Sequence, residues 1–239
     1  MIQPVIPKSG LQQRIYTAIW LVAGFLFTLL LLPPVYLSVL CLLVLLVAAW
    51  EWSALASASV RRIKALYAAC LSIVFLLFVV SVPGVVSVGG VFDAGNALEN
   101  LLGLAVLGWL FSLFAVLSFP DLPANWLNNK LIFAMGALLL LAAVCSLLFL
   151  RVQPDGQYWI LYCVAIVAAA DTGAYFSGKA WGKRKLAANV SPGKTWEGVI
   201  GGIVAAQCVA IIFYWNMEAG FVGTAGRIAL PVFLGVALL

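Results

Sequence analysis

The chain contains no histidine, and only 9% of its 239 residues are charged. The first absence removes histidine bases, Ser-His-Asp triads, H-E-x-x-H zinc sites and histidine phosphorelays. The second excludes a soluble fold, because a soluble domain carries about 25% charged residues to meet water. Eight acids and thirteen bases cannot cover a soluble surface of this size. Paired cysteines are also missing. Cys41, Cys70, Cys145, Cys163 and Cys208 are scattered through apolar runs with no C-x-x-C pair, and they read as small packing residues rather than metal or redox groups. What is present is apolarity: 65% of the chain is hydrophobic, along its whole length. The sequence therefore predicts an all-α polytopic membrane helix bundle, a single integral membrane domain over 1–239.

A spanning helix needs roughly 20 apolar residues, because the hydrocarbon core is about 30 Å thick. Seven such runs lie near Ile15–Leu32, Val35–Trp50, Ala65–Val82, Leu98–Phe119, Leu131–Leu150, Tyr158–Ser177 and Val199–Trp215, with a partial eighth at Ile228–Leu239. Pro33–Pro34 marks a tight turn between the first two. If Lys8 and Arg14 are cytoplasmic, alternation puts eleven of the thirteen basic residues on that side, leaving only Arg151 and Arg227 outside. The reverse orientation violates the positive-inside rule, so the N-terminus is expected in the cytoplasm. The first run is full length and leads into a second, which distinguishes it from a cleaved signal peptide. The basic balance flanks spans, so it points away from nucleic acid.

Polarity concentrates in residues 168–202, AAADTGAYFSGKAWGKRKLAANVSPGKTWEGVIGG. Asp171 is the one acid deep within an expected span. Burying a carboxylate there costs about 2.5–3.5 kcal/mol on insertion scales, so a partner or a wet cleft must offset it. Ala174, Tyr175 and Gly178 share its helical face at i+3, i+4 and i+7. Its alternatives are a metal or substrate role, or a bond that holds the bundle. Lys179, Lys183, Arg184 and Lys185 follow, suited to anchoring in anionic lipid or to binding a phosphate. Ser191–Pro192 has the form of a helix N-cap and first residue, predicting that the next helix starts there. Gly193, Lys194, Thr195 and Glu197 would occupy its first turns, where N–H groups favour an anion. The GKT triplet is no Walker motif, because position 188 is alanine and no soluble strand precedes it. Gly198, Gly201 and Gly202 offer the next helix a close-packing face. Read from its residues, the segment 171–202 is a cytoplasm-facing site for a lipid or nucleotide phosphate, with a candidate cation site at Asp171.

The strings ADTGAYFSGKAWGKRKL and SPGKTWEGVIGG resemble the phosphatidate cytidylyltransferases, the CDP-diacylglycerol synthases. The resemblance is dense from Asp171 to Gly202, and the hydropathy layout extends it over most of the chain. It implies an integral enzyme of a bacterial-type inner membrane that makes CDP-diacylglycerol and pyrophosphate from CTP and phosphatidic acid, with Mg²⁺, and it carries the expectation of a homodimer. It implies Asp171 and Lys194 as catalytic residues, with Asp171 on the metal or nucleotide. Lys179, Lys183, Arg184 and Lys185 would lie near phosphates. Ser191, Gly193, Lys194 and Thr195 would contact triphosphate or lipid phosphate, and Glu197 would orient a lysine or metal. One feature departs from the family pattern. Its carboxyl-terminal Pro-Gly-His-Gly-Gly signature and the acids around it have no counterpart here. Ile228–Leu239 spans about 18 Å at 1.5 Å per residue, short of a bilayer. The expectation is a truncated member with an incomplete metal site and impaired activity. The alternatives are a CTP-dependent lipid-alcohol kinase and a membrane transporter. Against the transporter, no two-fold repeat is visible. A CDP-alcohol phosphotransferase would need aspartates clustered along one helix.

Overall fold

In lipid every backbone N–H and C=O must be satisfied within the protein, and a helix does so within one segment. The computed structural model, which describes residues 9–56, 60–86, 93–118, 128–187 and 191–218, follows that rule. Among the described residues seven helices form: α1 (Ser9–Leu31), α2 (Pro34–Leu55), α3 (Arg61–Ser81), α4 (Ala94–Leu117), α5 (Asn129–Val152), α6 (Gly156–Trp181) and α7 (Trp196–Glu218). Each overlaps one of the seven expected runs. Six of them, α2 to α7, are long and apolar enough to cross a membrane; the apolar part of α1, Ile15–Leu31, is shorter. The expected partial eighth run lies outside the described residues.

Local signals set most of the ends. Pro34 opens α2, where a missing N–H costs nothing. Asp93 caps α4 by accepting from Gly95 and Asn96, and Asn128 caps α5 by accepting from Leu131. Asp155 takes a left-handed conformation at φ 57° in the tight turn between α5 and α6.

Helices α2, α3 and α5 share a core in which Leu37, Leu45, Phe75 and Leu148 are fully buried. Two polar contacts lock one end of it. Trp52 of α2 donates its indole N–H to the Ile132 carbonyl at 2.8 Å, and the Tyr67 hydroxyl of α3 donates to the Phe133 carbonyl at 2.9 Å. At the opposite end Arg151 donates to the Leu32 carbonyl at 3.1 Å and to Gln157 at 3.3 Å. The end of α2 therefore sits beside the starts of α3 and α5, and the end of α5 beside that of α1. Arg61, Arg62, Lys64 and Lys130 consequently gather at one end of the bundle, as the charge count requires, and Arg151 lies at the other.

The pair α6–α7 has its own small core of Tyr162, Ala206 and Ala210. A seam of small residues lets the two helices run antiparallel in close contact. A Cβ at Gly173 would stand 2.5 Å from the Gly201 carbonyl, one at Gly202 2.9 Å from the Ala170 carbonyl, and one at Gly198 3.1 Å from the Ala174 carbonyl. A Cβ at Gly173, Gly201 or Gly202 would force something to shift, and one at Gly198 would be tight, which is the close packing expected of Gly198, Gly201 and Gly202.

The departure from an all-α fold lies between these helices. Lys185–Ala187 (β1) and Ser191–Thr195 (β2) form a two-stranded antiparallel sheet, with Lys185 opposite Thr195 and Ala187 opposite Ser191. Helix α7 therefore does not begin at Ser191–Pro192 but at Trp196. The fixed φ of proline suits extended backbone as well as a first helical turn, and pairing with Lys185–Ala187 selects the extended form. Thr195 then acts as the cap: its hydroxyl accepts the Gly198 N–H at 3.2 Å, the bond an N-cap makes to the third helical residue.

Candidate active site

The end of α6, the hairpin and the start of α7 enclose a cleft of about 620 Å³. Helical spacing supplies its first wall. Asp171, Ala174, Tyr175, Gly178 and Lys179 lie on one face of α6 and all line it. The second wall is the strand β2, contributing Ser191, Gly193, Lys194 and Thr195, with Gly198 and Val199 from α7 below.

Six of the ten residues expected to act thus meet in one cleft: Asp171, Lys179, Ser191, Gly193, Lys194 and Thr195. Asp171, Lys179, Gly193 and Lys194 are exposed to it. Asp171 has no hydrogen-bond or ion-pair partner among the described residues, so the bundle-holding bond weighed as an alternative for it is not made to any of them. The Lys179 ammonium sits 5.7 Å from the centre of the Tyr175 ring, which holds a flexible cation at the cleft wall by cation–π attraction. Thr195 is buried, with its hydroxyl committed to the α7 cap and packed against Gly178 and Gly182. Its placement is structural first.

Glu197 lies elsewhere. It accepts the backbone N–H groups of Lys183 at 3.1 Å and of Arg184 at 3.2 Å. Its carboxylate orients those two residues through their main chain, and so fixes the approach to β1. The Trp196 N–H adds a bond to the Arg184 carbonyl at 3.0 Å. Glu197 faces a second groove of about 540 Å³ on the other side of the α6–α7 pair, walled by Phe176, Trp181, Ile200 and Val204. Lys183 and Arg184, just before the hairpin, and Lys185, its first residue, are exposed and do not line the cleft. Tyr175 is the cleft residue that the motif reading placed on the right face without giving it a role. Its i+4 offset from Asp171 was the available signal.

A metal cage is not built here. Among the described residues no three His, Cys, Asp or Glu side chains come together. Mg²⁺ differs from most metals in keeping several waters and binding through one or two carboxylates plus substrate phosphates. A single free carboxylate in a cleft with two lysines fits a Mg²⁺ carried by a polyphosphate, and does not fit a metal held by protein alone.

Comparison with known proteins adds the decisive observation: residues 12–238 match the Cytidylyltransferase family. The chain belongs to this family. It is similar to the phosphatidate cytidylyltransferase of Haemophilus influenzae, 37% identical over 212 residues that cover 85% of this chain and 72% of that protein. Similarity to the phosphatidate cytidylyltransferase of Pseudomonas aeruginosa is 34% over 193 residues, covering 81% of this chain and 66% of that protein. The enzyme of the same name in Bacillus subtilis is 35% identical over 107 residues, or 44% of this chain and 40% of that protein. The chain thus spans about two thirds to three quarters of the lengths of the first two relatives. As a family member it is a nucleotidyltransferase with membrane-spanning helices.

Proposed function

We propose that this cytidylyltransferase moves CMP from CTP to phosphatidic acid, and that the α6–hairpin–α7 cleft is where the triphosphate binds. The observation that carries the reading is the convergence in one cleft of Lys179, Lys194 and Asp171, which has no partner among the described residues, within a cytidylyltransferase-family chain whose relatives are named phosphatidate cytidylyltransferase. An oxygen of the lipid phosphate attacks the α-phosphorus of CTP. The new P–O bond forms as the bond from the α-phosphorus to the bridging oxygen breaks, and pyrophosphate leaves with that electron pair. The attacking phosphate is already largely ionised near neutral pH, so no histidine base is needed.

What the protein must supply is alignment and charge neutralisation. Lys179 and Lys194 approach from two different elements, which suits the two sides of a polyphosphate. The Gly193 backbone carries no side chain to obstruct a phosphate, and Ser191 offers a hydroxyl. Asp171 would hold the Mg²⁺, which when bound neutralises phosphate oxygens. The glycine seam fixes the distance between the two walls. Charge segregation supports a cytoplasmic mouth for the cleft, where CTP is found, and hence a cytoplasmic N-terminus.

The test is direct. Membranes carrying the chain are incubated with Mg²⁺, phosphatidic acid and CTP labelled at either the α- or the γ-phosphate. Label from the α-position in lipid is expected. Label in lipid from the γ-position alone would mark a lipid kinase instead and refute the reading. Asp171→Asn should lose the Mg²⁺-dependent part of the activity; full retention would remove Asp171 from that role.

A further inference from the structure

A second feature lies away from the cleft, where α2 meets α3. A groove of about 440 Å³ opens between these two spans, walled by Leu46, Val47, Trp50, Ala65, Ala68 and Ala69. Its α3 wall is nothing but alanine, so the groove is deep on that side. Its mouth is strongly basic. Arg61 stands four residues before Ala65, Arg62 seven before Ala69 and Lys64 four before Ala68, so helical spacing aims all three towards the groove's face. The Lys64 ammonium lies 5.8 Å from the centre of the Trp50 ring, which itself lines the groove. Arg61 and Arg62 are exposed, and the first turn of α3 contains no acid. Glu51 is the one carboxylate on the adjoining turn of α2.

An apolar slot between two candidate spans, with three cations at its mouth, has the charge and polarity of an anionic phospholipid inverted. We propose that the α2–α3 corner binds one anionic phospholipid, its phosphate on Arg61, Arg62 and Lys64 and an acyl chain along Ala65, Ala68 and Ala69. This site is separate from the cleft and does not depend on cytidylyl transfer. Positively charged loops attract anionic leaflets without any pocket, at about 1 kcal/mol per cation. The groove is what makes the binding specific to one lipid molecule.

The whole 239-residue chain, solubilised in detergent, is titrated with phosphatidylglycerol or phosphatidylcholine of identical acyl chains, and bound lipid is counted by native mass spectrometry. Phosphatidylglycerol should bind as one tighter equivalent. Each of Arg61→Gln and Lys64→Gln should weaken it about fivefold. Ala69→Leu or Ala65→Leu, which fill the slot from exposed positions, should weaken it about tenfold with charge unchanged. Lys194→Gln, in the cleft, should leave it unchanged. No preference for phosphatidylglycerol would overturn the proposal. So would wild-type affinity in both leucine variants, which would reduce the corner to surface charge. Loss of binding in Lys194→Gln would place the lipid in the cleft and overturn it as well.

Discussion

The α6–α7 seam can be tested by adding one methyl group. In Gly173→Ala the new Cβ would lie 2.5 Å from the Gly201 carbonyl oxygen and 2.6 Å from the Ala205 Cβ. A carbon–oxygen contact relaxes to about 3.3 Å or more, so the helices must part by roughly 0.8 Å at this level. A gap of about 0.5–1 Å forfeits a quarter to a half of each dispersion contact along the seam. Between membrane helices those contacts are the main attraction, since lipid is as apolar as leucine. Overpacking of this kind costs about 1–3 kcal/mol. Both cleft walls ride on these helices, so the distance from Lys179 to Lys194 changes too. Thermal unfolding in detergent, followed by tryptophan fluorescence, should show a midpoint lowered by roughly 2–4 °C for each kcal/mol lost. The KM for CTP should rise in the same variant. The control is Gly103→Ala in α4, where a Cβ meets nothing within 4 Å. There the change should stabilise by about 0.5–1 kcal/mol, because glycine is a poor residue in a helix interior. If Gly173→Ala is as stable as the wild type, or Gly103→Ala is the more damaging of the two, the account of the seam is wrong.

Three further outcomes follow from the hairpin and the start of α7. Lys194→Gln keeps a polar side chain, one atom shorter, and removes a charge-assisted contact worth about 1.5–3 kcal/mol, so kcat/KM for CTP should fall roughly 10- to 100-fold with the unfolding midpoint unmoved; a stability loss without a catalytic one would contradict its role. Thr195→Val removes the α7 cap while preserving shape, and should lower stability by about 1 kcal/mol; an unchanged midpoint would show that the cap bond contributes nothing. Glu197→Gln loses an anionic acceptor for the Lys183 and Arg184 amides. Those two amides should exchange hydrogen faster than in the wild type while the core of α5 does not change, and equal exchange at 183 and 184 would dismiss the clamp.

Much of this protein could be read from its sequence. Membrane residence follows from the shortage of charge, because a bilayer removes the need for a polar surface. The positions of the spans follow from run length, because bilayer thickness and helix rise are fixed quantities. The gathering of Arg61, Arg62, Lys64 and Lys130 at one end follows from alternation, and the closeness of α6 and α7 from Gly198, Gly201 and Gly202. Helical periodicity also placed Asp171, Tyr175 and Gly178 on one face.

Tertiary structure alone decided what lies across from that face. Ser191 and Pro192 carry a local signal for a helix start, yet pairing with Lys185–Ala187 draws them into a strand, and a rule that reads only cap and first-turn residues does not weigh a competing hairpin partner just upstream. That shift moves the cap to Thr195 and turns Lys194 into the cleft. It leaves Glu197 on the far side of α7, holding the main chain of Lys183 and Arg184 instead of sharing a site with Asp171. Because residues 191–195 run as extended backbone and not as helix, Ser191, Gly193 and Lys194 line the cleft while Glu197 holds the frame.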